Sequence, residues 1–130
     1  MNIRKGKVNR VLSPNYLDIE FYLEFGVSIR VCVTIEGLDP HKEDKDLHDK
    51  LMHSLVIMVG GKNIIIRPSE GETFPATRTA FTGAIYRKGE IEDCTVEIEG
   101  EKYICIKKYL TKMFPDFDIK AIRNDWRKIK

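Results

Sequence analysis

Four groups of side chains in this sequence have the types and spacing to do chemistry. His41, Asp44 and His48 cluster, and Asp44 and His48 stand four residues apart, the one-turn spacing of a metal pair on a helix. The same run reads more simply as a capped, solvated helix start, which is the preferred reading; His53, further on, adds little. Two basic stretches could neutralise phosphates: Arg4, Lys5, Lys7 and Arg10 near the start, and Lys120, Arg123, Arg127, Lys128 and Lys130 at the end. Tyr16, Tyr22, Phe81 and Tyr86 could stack on bases. Cations do not interleave with these rings, so core packing or edge cover is their expected use. Cys32, Cys94 and Cys105 lie too far apart for zinc-site spacing and are expected to be reduced and buried in a cytosolic protein. There is no glycine-rich phosphate loop and no serine–histidine–aspartate pattern. Gly60-Gly61 reads as a helix terminator.

The elements that must position these residues come from one domain spanning residues 1–130. A chain of this size buries roughly two-thirds of its unfolded surface without staples. An apolar content of 42% beside 32% charged residues separates it from disordered chains. No apolar run approaches the roughly 18 residues of a membrane span, so no membrane partner is expected. The basic start lacks the apolar core of a secretory signal. A net charge of +2 conceals a segregation, with Glu90, Glu92, Asp93, Glu97, Glu99 and Glu101 lying between the basic ends.

Lys7–Leu12 reads as a short strand and Ser13-Pro14-Asn15 as a turn. In Tyr16–Glu24, Leu17, Ile19, Phe21 and Leu23 alternate with Asp18, Glu20, Tyr22 and Glu24, the pattern of a half-buried strand. Phe25-Gly26 turns the chain into a third strand, Ser28–Ile35. Leu47, Leu51, Leu55 and Met58 recur at helical spacing after Asp44 or Asp46 as a cap. Lys62–Arg67 predicts a buried strand, 68–77 a loop, Arg78–Arg87 a strand, and Cys94–Glu99 a further strand. Tyr103, Ile106, Leu110, Met113 and Phe114 predict a helix over Glu101–Phe114. Residues 116–130 predict a basic C-terminal helix, whose Ile119, Ile122, Trp126 and Ile129 are expected to dock on the core. The expected fold is α+β: a small OB-type five-stranded β-barrel with two to three helices.

Several strings carry a resemblance. They are the Phe25-Gly26-Val27 hairpin, Val33–Pro40 with its Gly37-Leu38-Asp39-Pro40 run, Gly61-Lys62 before the isoleucines, and Ala84-Ile85-Tyr86 with Lys88-Gly89. Together they resemble the staphylococcal nuclease (thermonuclease) family over about residues 5 to 114. The resemblance implies an OB barrel whose corner holds a calcium ion between two aspartates. A glutamate there activates water and two arginines hold the phosphate, a layout suited to phosphoryl transfer. Carried over, Asp39 is the retained ligand and Asn15 stands where the first aspartate belongs. Thr34 replaces the first arginine, Lys42 the base and Ala80 the second arginine. Glu43, one residue past Lys42, and Arg78, two before Ala80, are the nearest substitutes.

Removing one transition-state donor costs roughly 10²–10³ in rate. Several such groups are replaced together, so the expected protein is non-catalytic and has a degenerate active site. The leading expectation is an inhibitor or adaptor that binds a protein partner in the cytoplasm, with a phage origin suggested by the compact, diverged pattern. One alternative is nucleic-acid binding through Arg4, Lys5, Lys7, Arg10, Arg123, Arg127 and Lys128. The other is a calcium-dependent nuclease, cleaving phosphodiesters, with a rebuilt site of Asp39, Glu43 and Arg78. No cofactor is expected in the first two cases; calcium, held by Asp39 and Asn15, belongs to the third.

Overall fold

The computed structural model describes residues 3–38, 45–69 and 80–114. Its elements are β1 (Arg4–Ser13), β2 (Tyr16–Tyr22), a single 3-10 turn at Glu24–Gly26, β3 (Ser28–Ile35), α1 (Lys45–Val59), β4 (Asn63–Pro68), β5 (Ala80–Lys88), β6 (Thr95–Ile98), β7 (Glu101–Cys105) and α2 (Ile106–Met113). The first three strands form an antiparallel meander. β4 adds antiparallel to the free edge of β1, and β5 to β4. β5 also pairs parallel with β3, Cys32–Ile35 against Ala80–Gly83, which closes a five-stranded mixed barrel. With the two helices this is an α+β barrel of the OB type. The β6–β7 hairpin extends the sheet from the far end of β5.

Alternation decides which residues fill the barrel. Leu17, Ile19 and Phe21 of β2 and Val31, Val33 and Ile35 of β3 point inward and are buried, as the period of two requires. Leu51, Leu55, Met58 and Val59 of α1 and Ile106 and Leu110 of α2 close the same core. The run Ile64-Ile65-Ile66 is buried on both faces. Ile64 and Ile66 join the main core, while Ile65 packs outside with Tyr86 and Ile98 under the β6–β7 hairpin.

Three local readings differ from the sequence pattern, each for a physical reason. Glu101–Cys105 is a strand and not the first turn of a helix. Glu99 and Gly100, both at positive φ (51° and 81°), make a two-residue hairpin turn that pairs this segment with β6, and α2 begins only at Ile106. β2 ends at Tyr22 because the following turn reverses the chain before Glu24 can pair. Asp18, on the polar face of β2, is only 5% exposed. It accepts a hydrogen bond from Arg30 of β3 and lies 3.8 Å from the Arg10 guanidinium of β1, so two cations cover it.

β1 pairs with β2 on one side and with β4 on the other. A register shift between Val8 and Arg10 marks an irregularity that bends it. Val8 donates to Lys62 O (3.0 Å) and its carbonyl accepts from Gly61 N (2.9 Å), tying the end of the α1–β4 turn to the bend. At Gly6 a Cβ would stand 2.8 Å from Glu20 O and 2.9 Å from Ile19 Cγ2, so only glycine allows this approach of β1 to β2. Gly6→Ala is therefore expected to destabilise the protein by about 2 kcal/mol, read as a lower urea midpoint with unchanged slope.

Candidate functional site

The corner where the sequence resemblance places chemistry is built from the β1–β2 turn and the end of β3. Pro14-Asn15 reverses the chain, and the Asn15 carbonyl accepts from Ile35 N (2.7 Å). The Asn15 side chain then spans the gap. Its Oδ1 accepts from the Ser13 hydroxyl (3.0 Å), and its Nδ2 donates to Leu38 O (2.9 Å). Glu36 N donates to Gly83 O (2.8 Å), fastening the same corner to β5. Gly37 turns the chain at φ +77°, in the left-handed region that favours glycine. The Lys107 side chain of α2 lies over it: a Cβ built on Gly37 would stand 2.5 Å from Lys107 Nζ.

Calcium requires six to eight oxygen ligands, several of them anionic. The Asn15 oxygen is neutral and already holds the Ser13 hydroxyl, and the Leu38 carbonyl already holds the Asn15 amide. A lysine stands above the turn. The Asn15 and Leu38 oxygens at the corner are thus neutral and each accepts a hydrogen bond. No group of three or more histidine, cysteine, aspartate or glutamate side chains converges anywhere among the described residues.

Thr34, in the arginine position, is half-buried and sits in the sheet between Tyr16 of β2 and Thr82 of β5. Asp39, His41, Lys42, Glu43, Asp44, Arg78, Arg123, Arg127 and Lys128 lie outside the described residues, as does the segment 116–130. His48, on α1, has its Nδ1 3.8 Å from the Asp49 carboxylate of the next residue. Of the basic candidates on β1, Arg4, Lys5 and Lys7 are exposed toward its N-terminal end, whereas Arg10 turns to Asp18. The three aromatics with described side chains differ in burial. Tyr22 is exposed, Tyr86 is buried, and Tyr16 is half-buried beside Cys32, whose hydrogen bond raises the tyrosine pKa. All three cysteines are free; Cys94 is buried, and Cys32 and Cys105 are half-buried.

A second feature adjoins the corner. A cavity of about 320 Å³ opens beside Glu36, with Tyr86 in its wall and Arg67, Lys107 and Lys108 around it. The Arg67 guanidinium lies 6.0 Å from the Tyr86 ring centroid, within cation–π range. Burial raises the Tyr86 pKa and outweighs the opposite pull of Arg67. Lys107 and Lys108 sit in the first turn of α2, where the macrodipole disfavours cations and no acidic residue offsets them. Sequence reasoning passed over Arg67, Lys107 and Lys108. Only the Lys107-Lys108 pair gave a signal, and a lysine pair on a helix ordinarily faces water.

No protein-family model matches the chain, and no curated protein matches it.

The Asn15 bridge sets a direct test. Asn15→Ala removes two hydrogen bonds, for an expected loss of about 1–3 kcal/mol. Asn15→Asp places a charge against the Leu38 carbonyl and is expected to cost as much. Thermal melts should show that millimolar calcium leaves the wild type unshifted and does not restore the aspartate variant.

Proposed function

We propose that this protein is a catalytically silent barrel of the staphylococcal-nuclease type that acts by binding a protein partner, as an inhibitor or adaptor. One observation carries the reading: the Asn15 amide joins the β1–β2 turn to the end of β3 by donating to Leu38 O. A hydrogen-bonded corner gives the barrel its closure without the charge that phosphoryl transfer needs. Thr34 offers a hydroxyl, inside the sheet, where a guanidinium would meet phosphate. The scaffold is kept while the chemistry is replaced, and binding is the use left to it. The free thiols fit a reducing compartment such as the cytoplasm. The purified protein is expected to leave single- and double-stranded DNA and RNA intact with or without calcium. Calcium-dependent cleavage that Asp39→Ala abolishes would overturn the reading and favour the rebuilt site of Asp39, Glu43 and Arg78.

A second reading, nucleic-acid binding without cleavage, is favoured by Arg67, Lys107 and Lys108 around one cavity. It requires that fluorescence anisotropy with a labelled oligonucleotide show binding at low salt that falls steeply as salt rises. It also requires that Lys107→Glu with Lys108→Glu weaken that binding. An oligonucleotide that stays free at low salt removes this reading.

A further inference from the structure

The residue least explained by the fold is Phe25, at the tip of the β2–β3 hairpin. The residue is 96% exposed, so it contributes almost no burial to stability. Its backbone is left-handed, φ +63° and ψ 30°, a conformation that costs a bulky side chain on the order of 1 kcal/mol. The turn is held in that shape by Leu23 N donating to Val27 O (2.7 Å) and Val27 N to Glu24 O (3.4 Å). Glycine at this position would relax the backbone and lose no packing. A residue that costs the fold on both counts points to a use outside the fold.

Its surroundings describe that use. Val27 and Tyr22, each 53% exposed, flank the ring on the two arms of the hairpin. Beside them the start of β1 brings Arg4 and Lys5 into a groove that runs along the hairpin and across the barrel. The groove consists of two cavities of about 480 Å³ each that share Lys5 and Tyr22 in their walls; the Glu101 carboxylate in the first of them accepts from Lys88 and Tyr103. A protruding aromatic, supported by a tyrosine and an aliphatic and edged by cations, has the composition of a protein-interface anchor. Glu24, next to Phe25 on the same tip, works against a continuous polyanion and against an anionic lipid surface. A discrete carboxylate on a partner can face Lys5 and avoid Glu24.

We propose that the β2–β3 hairpin tip is the partner-binding surface of this protein. Phe25 enters an apolar socket on a protein segment, and a carboxylate beside that socket pairs with Lys5. The proposal rests on the protein-binding reading above and gives it a location and a partner chemistry.

The test is a random-peptide phage-display selection on the whole protein, followed by fluorescence anisotropy of the enriched peptides as synthetic probes. Enriched sequences are expected to combine large apolar residues with flanking aspartate or glutamate. Phe25→Gly should bind them about tenfold more weakly or worse, while its melting temperature stays equal to the wild type or rises. Lys5→Glu should weaken binding severalfold, and Lys50→Ala, on the exposed side of α1, should bind as the wild type does. Peptides that bind the wild type and Phe25→Gly equally would overturn the hairpin site and leave the protein-binding reading standing. Enriched peptides without acidic residues would overturn the partner chemistry, and a selection that enriches nothing counts against both the site and the reading it rests on.

Discussion

The parallel pairing of β3 with β5 turns a meander and a hairpin into a closed barrel, and every other feature of the molecule depends on it. It is a non-local contact between strands more than forty positions apart, so it carries a loop-closure cost that neighbouring strands avoid. Side-chain and backbone bonds at its end offset that cost. Glu36 N reaches Gly83 O, and Asn15 links Leu38 to the β1–β2 turn. The inward faces of the same strands complete the core through Val33, Ile35 and Ile85. Once the barrel is closed, the corner, the Tyr86 cavity and the α2 cations are neighbours; before it closes they are separate stretches of chain.

The corner illustrates how one geometry serves two chemistries. A cation and an amide can both hold a turn against a strand end. The cation brings charge that a reacting phosphate can use, whereas the amide brings a neutral donor and acceptor that are consumed in holding the turn. Asn15 holds the turn with one accepted and one donated bond, and Lys107 covers Gly37. The opposite arrangement governs the hairpin tip. There the backbone is strained at Phe25 and the side chain makes no compensating burial. Polar groups are satisfied where the barrel must stay shut, and apolar surface is left uncovered where the molecule meets its surroundings.

Much of the barrel was legible in the residues. Ser28–Ile35 shows as a strand with its observed ends because alternation and flanking turn residues agree. The stripe Leu47, Leu51, Leu55 and Met58 marks α1, and Gly60-Gly61 marks its end. The β7–α2 junction was not legible, because Tyr103 through Phe114 also satisfies helical spacing and only the Glu99-Gly100 turn, acting with β6, selects a strand for Glu101–Cys105. The burial of Asp18 was hidden for a similar reason. It occupies a polar position in an alternating strand, and the two arginines that cover it come from different strands.

By itself the sequence determined the β1–β3 meander, the α1 stripe, the isoleucine strand β4, and which residues of β2 and β3 face the core. Those properties are local: they follow from periodicity, turn chemistry and residue type, all of which are written along the chain. Only the tertiary structure decided that Asn15 bonds across to Leu38, that Lys107 lies over Gly37, that Arg67 stands over Tyr86, and that Phe25 is left bare in a left-handed turn. Each of these depends on where separate segments meet in space or on the dihedral angles that the surrounding turn imposes, and neither is encoded by the spacing of residues in one stretch of sequence.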